Sequence, residues 1–217
     1  MFTQSEENYL KAIFHLQQET EDGVSTSSIS GHLNTTAASV TEMIKRLADK
    51  DLLDYQKYYG VQLTATGKAH ALAIVRKHRL WESFLVERLN FNWDEVHEVA
   101  EQLEHIKSKK LVEELDKFLG RPAYDPHGDP IPDAEGNLPI MPKKRLSQLQ
   151  QGERCICKGF NDASSSFLKY LAKLGIGLGT AVEVTHVEKF DESMTLRIDD
   201  DEVQLSKTAT DNIYVEH

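Results

Sequence analysis

Four residues in the middle of the chain, His97, Glu101, Glu104 and His105, stand at positions i, i+4, i+7 and i+8 of the segment WDEVHEVAEQLEHI. Helical geometry places those offsets on one face, while Val96, Val99 and Leu103 supply the apolar side. Imidazole nitrogens and carboxylate oxygens gathered on one face are donors for a divalent metal ion. The preceding segment KHRLWESFL repeats the pattern, with His78 and Glu82 at i, i+4. A rise of about 12 Å separates His97 from His105 at 1.5 Å per residue, so one ion with bonds of about 2.1 Å does not use both. Two groups follow: Glu101, Glu104 and His105 within about one turn, and His97 joined by His78 and Glu82. Any one such residue on an exposed helix face is commonly a solvated surface group. Six of them at helical spacing on two neighbouring helices are read as two metal sites. HEVAE lacks the second histidine of a hydrolase HExxH motif.

The elements that must carry these residues are legible on either side. Thr3 with Glu6 predicts a capping box before the helical pattern Tyr9, Leu10, Ile13, Phe14. Ser25 caps a second short helix. The polar break NTTAA leads into a third, whose Val40, Ile44 and Leu47 share one face. Two β-favouring runs around Lys57–Gly60 predict a hairpin directly after this pair of helices, the order of a winged helix-turn-helix. Thr64 or Thr66 then caps a long helix to about Leu89, Asn92 and Glu95 cap the His/Glu-rich helix, and Ser108 opens another that stops at Gly120 and Pro122. All six prolines lie within residues 121–142, an extended connector. Beyond it, five short strand-like runs and the helix SSFLKYLAKLG predict a small β-barrel.

The chain of 217 residues has a net charge of −10, but the charge is segregated. Between His32 and Leu80, eight basic residues face four acids, a local excess of about +4, whereas the next forty residues hold twice as many acids as bases. Local sign decides whether a face approaches phosphates, so the first third is the candidate nucleic-acid binder. The first ten residues lack a basic region followed by an apolar stretch, no apolar run has the length of a membrane span, and Cys155 and Cys157 are too close for a disulfide framework. The expectation is a cytoplasmic protein that does not contact a membrane, with the two cysteines in core or surface packing rather than in metal or redox chemistry.

These segments resemble the diphtheria-toxin-repressor family of iron- and manganese-dependent transcriptional regulators, in its manganese-transport-regulator-like form. The likeness runs through EENYLKAIFHL, the helix-turn-helix, LTATGKAHA, RKHRLWE, VHEVAEQLEH, DPHGDPIP and the terminal barrel. It implies a mainly α fold with a small β part: a winged-helix DNA-binding domain over residues 1–72, a helical metal-binding and dimerisation domain with the Pro-rich connector over 73–142, and an SH3-like (FeoA-like) domain over 143–217. Carried over by position, the resemblance implies a primary site of Asn8, Glu101, Glu104 and His105. It implies an ancillary site of His78, Glu82 and His97, with a further oxygen from Asp162 or, second, Ser164. Iron-sensing relatives carry a thioether at the position of Asn8 and a thiol at that of Glu101; manganese-sensing relatives carry carboxylates at the positions of Asn8 and Lys11. An oxygen-rich, thiol-free set favours Mn(II), with Fe(II) the alternative.

The implied function is a metal-dependent repressor of metal-uptake genes, not an enzyme, acting as a homodimer on palindromic, double-stranded operator DNA. Thr36, Ala38, Ser39, Thr41 and Glu42 are placed to face the major groove, with Lys45 and Lys57 near phosphates. Two readings stay open beside it: a metal buffer without DNA affinity, and a metalloenzyme using the same His/Glu set. His127, in the connector, is expected to make a loop contact, and His15, His32, His70, His186 and His217 form no constellation.

Overall fold

The computed structural model describes residues 2–18, 20, 23–56, 60–140, 144–161 and 164–216. They form two compact units: one of residues 1–78, 101–109 and 132–137, the other of 79–100, 110–131 and 138–217.

In the first unit, helix α1 (Gln4–Gln18) starts at the expected capping box, where Glu6 N donates to Thr3 Oγ1 at 3.3 Å and Thr3 N to Glu6 Oε2 at 3.0 Å. Ser25 caps α2 (Thr26–His32) and Thr36 caps α3 (Ala37–Ala48), each hydroxyl accepting from a backbone N–H three residues on. Strands β1 (Leu53–Gln56) and β2 (Gly60–Leu63) pair antiparallel, with Gln56 opposite Gly60. Gly60 has φ +89°, and a Cβ there would stand 2.7 Å from Val24 O, so this position requires glycine. Of the two candidate caps, Thr64 opens α4 (Ala65–Leu89), accepting from Gly67 N at 3.0 Å. Leu10, Ile13, Ile29, Val40, Ile44 and Leu47 meet in the core of this unit.

The second unit contains a five-stranded antiparallel sheet in the order β6-β5-β4-β3-β7, from β3 (Arg154–Phe160), β4 (Ala181–Val187), β5 (Met194–Ile198), β6 (Asp201–Leu205) and β7 (Ile213–Glu216). These are the five runs anticipated from sequence. Helix α7 (Ser165–Lys173) closes on the sheet through Leu168 and Leu171, and a short α8 (Lys207–Thr210) precedes the last strand. Inward positions alternate along β3, so Cys155 and Cys157 both point into the core, as expected. Burial pushes their thiols up to about 11 and 12. Helix α6 (Lys109–Phe118) is followed by a turn at Leu119 and Gly120, the glycine having φ +77°.

One helix is shorter than expected at both ends, starting at Val96 rather than Trp93. Helix α5 (Val96–Leu103) closes at Leu103, where Ile106 N bonds Leu103 O at 3.1 Å, so Glu104 and His105 stand in the following turn rather than on the helix face. The i→i+3 bond tightens the chain where the helical ladder stops. Among the described residues no helix is long and apolar enough to cross a membrane.

Candidate functional site

The first unit assembles one group of ionisable side chains. On α1, Lys11 stands one turn after both Glu7 and Asn8. Glu104 is fully buried. Its Oε2 accepts from Lys11 Nζ at 2.7 Å and from His78 Nδ1 at 2.6 Å, while its Oε1 has no hydrogen-bond partner. Lys11 also bonds Glu101. Burial by itself would raise the Glu104 carboxyl; the His78 hydrogen bond and the Lys11 ammonium outweigh it and hold the group below its ordinary value, so it is ionised. His105 Nδ1 lies 2.6 Å from Glu7 Oε2, and its Nε2 lies 3.9 Å from Glu104 Oε1. Asn8 Oδ1 is likewise buried without a hydrogen-bond partner.

Two buried oxygens without donors, Asn8 Oδ1 and Glu104 Oε1, are costly in a folded protein unless something binds them. Both belong to the set expected to ligate a metal, and the donor chemistry of amide, carboxylate and imidazole fits a divalent cation. His78, which sequence spacing grouped with Glu82 and His97, hydrogen-bonds Glu104.

A second group lies in the other unit. Glu82 Oε1 is 3.4 Å from His97 Nδ1, and Glu82 Oε2 is 3.8 Å from His127 Nδ1. Donor atoms of Glu82, Asp125 and His127, all buried, lie within 4.8 Å of one another. His127 stacks on Trp93 and its Nε2 bonds Trp93 O at 2.6 Å. Asp125 Oδ1 accepts from the backbone N–H of His127 and Asp129, while Oδ2 has no hydrogen-bond partner. Burial, then the charges of Asp129 and Glu82, push the Asp125 carboxyl far above the carboxylate range. Burial would lower His127, but the Glu82 carboxylate beside it, then the Asp125 charge and the Trp93 carbonyl, dominate and raise it to about 9. Connector and sheet approach closely here: a Cβ on Gly128 would fall 2.3 Å from Lys158 O.

His127 makes the expected loop contact, to Trp93 O, and is also buried 3.8 Å from Glu82; Asp125 beside it carries no signal in the helical spacing. The available signal was DPHGDP itself, two potential ligands two residues apart with glycine to let the chain approach the sheet. Asp162 lies outside the described residues. Ser164 is the N-cap of α7, accepting from Phe167 N at 3.4 Å.

The candidate nucleic-acid residues Thr36, Ala38, Ser39, Thr41, Glu42 and Lys45 are all exposed, opposite the buried Val40, Ile44 and Leu47 of α3. The Thr36 hydroxyl is engaged by the cap, and the Thr41 hydroxyl donates to Ala37 O at 2.9 Å. Lys57 lies outside the described residues. Glu6, fully buried on α1, holds Arg46 Nε at 2.8 Å and Lys50 Nζ at 2.6 Å, fastening α3 to α1.

Comparison with known proteins agrees with this division of labour. Family models describing the DNA-binding domain of iron-dependent repressors, their metal-binding and dimerisation domain, and the FeoA domain match residues 1–61, 64–133 and 144–217. The diphtheria toxin repressor of Corynebacterium jeikeium is 31% identical over 147 residues, 67% of this chain and 60% of its own length. The iron-dependent repressor IdeR of Mycobacterium leprae is 35% identical over 128 residues, 58% of this chain and 54% of its own length. The chain thus spans little more than half of these curated relatives. Among solved structures, a manganese-dependent transcriptional repressor in complex with manganese superposes with a TM-score of 0.86 at 38% identity, covering 97% of this chain and 98% of that one. This chain belongs to the family of iron- and manganese-dependent transcriptional repressors, which combine a DNA-binding domain with a metal-binding and dimerisation domain.

Proposed function

We propose that the chain is a manganese-activated repressor that binds palindromic, double-stranded operator DNA as a homodimer in the cytoplasm and controls metal-uptake genes. The observation that carries this reading is the buried carboxylate of Glu104, with one oxygen held by Lys11 and His78 and the other without a hydrogen-bond partner beside His105. Asn8, Glu101, Glu104 and His105 would hold the regulatory ion, and the buried Glu82, Asp125 and His127, with His97, a second. His78, assigned to the ancillary site by spacing, here supports Glu104.

Asn8 on α1 and Glu104 and His105 in the turn after α5 would hold the ion between them, and its positive charge would tie these two elements together. Since α1 is fastened to α3 through Glu6, Arg46 and Lys50, holding α1 also sets the recognition helix. Two recognition helices must match half-sites about one helical turn, or a multiple, apart, and metal favours that spacing by its greater affinity for the DNA-competent state. The oxygen-rich ligands favour Mn(II), with Fe(II) second. In the second unit, Trp81, Phe84, Leu111, Leu115 and Phe118 line an apolar groove in which Phe118 is 60% and Leu111 40% exposed, the surface we assign to the second copy. Domain limits of 1–72, 73–142 and 143–217 accompany this reading. Operator binding measured by fluorescence anisotropy with Mn(II) and with Fe(II) under anaerobic conditions tests it: metal-dependent affinity is expected, strongest with Mn(II).

A further inference from the structure

Glu7 is not among the residues that spacing or family likeness assigned to a site, yet it is buried on α1 and its carboxylate meets His105. We infer that Glu7 is a positioning residue for the metal site: it holds the His105 imidazole with the proton on Nδ1, turns the Nε2 lone pair toward Glu104, and gives α1 a second connection to the ion beside Asn8. This rests on the proposed metal-dependent function.

The chemistry follows from what each atom can do. An ionised carboxylate only accepts, so the 2.6 Å contact between Glu7 Oε2 and His105 Nδ1 requires the proton to sit on Nδ1. The other nitrogen then carries a lone pair. It stands 3.9 Å from Glu104 Oε1, beyond hydrogen-bond range, and that oxygen is buried without a donor. Two acceptors 3.9 Å apart are left without a donor, and a divalent cation held by both would satisfy them. The second Glu104 oxygen is already committed to Lys11 and His78, which fixes the direction of the first. A proton on Nε2 would find no acceptor among the described residues, so the geometry selects the tautomer suited to ligation.

Carboxylates that orient a ligating histidine this way raise its basicity, and losing them costs roughly 10–100-fold in metal affinity. Here the orienting group sits on a different element from the ligand. The histidine follows α5 whereas its partner belongs to α1, the helix that Glu6 fastens to α3. Changes in the metal site are therefore felt by the helix that carries the recognition helix.

The tautomer is directly measurable in the unmodified protein. Two-bond 1H–15N spectra of the metal-free protein, at a pH where the imidazole is neutral and with the signal assigned by a His105→Gln variant, should show the Nδ1-protonated form; an Nε2-protonated His105 overturns the inference. In parallel, Mn(II) affinity is measured by chelator competition for Glu7→Gln and Glu7→Leu, with metal-free thermal melting as the control for folding. Glu7→Leu should lose about 10–100-fold in affinity and the Nδ1 preference, and Glu7→Gln, which keeps an acceptor oxygen, should recover most of both. Mn(II) binding by Glu7→Leu within about two-fold of the unmodified chain contradicts the role. If the unmodified chain binds no Mn(II), it is the proposed function that fails, and the His105 spectrum still decides the tautomer.

Discussion

The Nδ1 atom of His78 lies 2.6 Å from Glu104 Oε2, although 26 residues separate the two in sequence. With Lys11 on the same oxygen, Glu104 is the hub of a buried, charge-assisted network. Removing one partner of such a network leaves the others uncompensated. Glu104→Ala should destabilise the metal-free protein by about 3 kcal/mol, read by chemical denaturation, and abolish tight Mn(II) binding. Full Mn(II) affinity in this variant would show that the ion is held elsewhere.

The buried Glu82, Asp125 and His127 predict a pH dependence. In the metal-free protein His127 is raised from its ordinary 6.5 to about 9, so its contribution to stability is complete below about pH 6.5 and is lost as pH rises toward 9. Asp125 is also raised, so ionising it likewise weakens the fold as pH increases. A metal ion needs both groups deprotonated. Metal-free melting temperature should therefore fall between pH 6.5 and 9, while the stabilisation gained on adding Mn(II) grows over the same window. Calorimetric melts with and without Mn(II) read both slopes; a metal-induced gain that shrinks with rising pH contradicts the assignment of this group.

On α3, exposed Lys45 is assigned to phosphate and Thr41 to the groove. Lys45→Ala should weaken binding similarly on all sequences and reduce the salt slope by about one. Because the Thr41 hydroxyl is spent on Ala37 O, Thr41→Val should keep the base preference, with operator affinity within about three-fold in anisotropy titrations. A Thr41→Val variant that loses discrimination while staying folded would show that the hydroxyl reads a base.

The apolar groove around Phe84 and Phe118, whose rings stand 6.1 Å apart, should be the centre of a dimer interface. Phe118→Ala should cost about 2 kcal/mol of dimer stability, a shift of roughly 30-fold in dissociation constant by analytical ultracentrifugation. An unchanged dissociation constant places the interface elsewhere.

Cys155 and Cys157 carry thiols raised by burial to about 11 and 12, and nucleophilic reactivity needs the thiolate. Both should resist thiol-reactive probes at pH 8 in the native protein and label rapidly once it is unfolded. Fast native labelling would indicate that the sheet core opens.

The helices were legible because their caps and apolar spacing are local. Thr3 and Ser25 start helices where the sequence placed them, and the five strands beyond the connector follow their alternation. What failed was a boundary: nothing in QLEHI marks a stop, so Glu104 and His105 were read onto a helix that ends at Leu103. Rise along a helix also says nothing about partners from other segments, although it did pair His97 with Glu82. Glu7 meets His105 across 98 residues, and His127 reaches Glu82 from a proline-rich connector whose path no periodicity predicts. Asn8 was found only by family likeness. Its buried, partnerless oxygen is a property of packing that composition does not carry.

The central claim is that a divalent cation, held between α1 and the turn that carries Glu104 and His105, makes the chain competent for DNA. Titrating operator DNA with chelator-treated protein and then with Mn(II)-loaded protein at one salt concentration tests it most directly. The account predicts at least a hundred-fold tighter binding when loaded, about 2.7 kcal/mol of coupling, and loss of that gain in Glu104→Gln. Equal affinity of the stripped and loaded protein for the operator would contradict it.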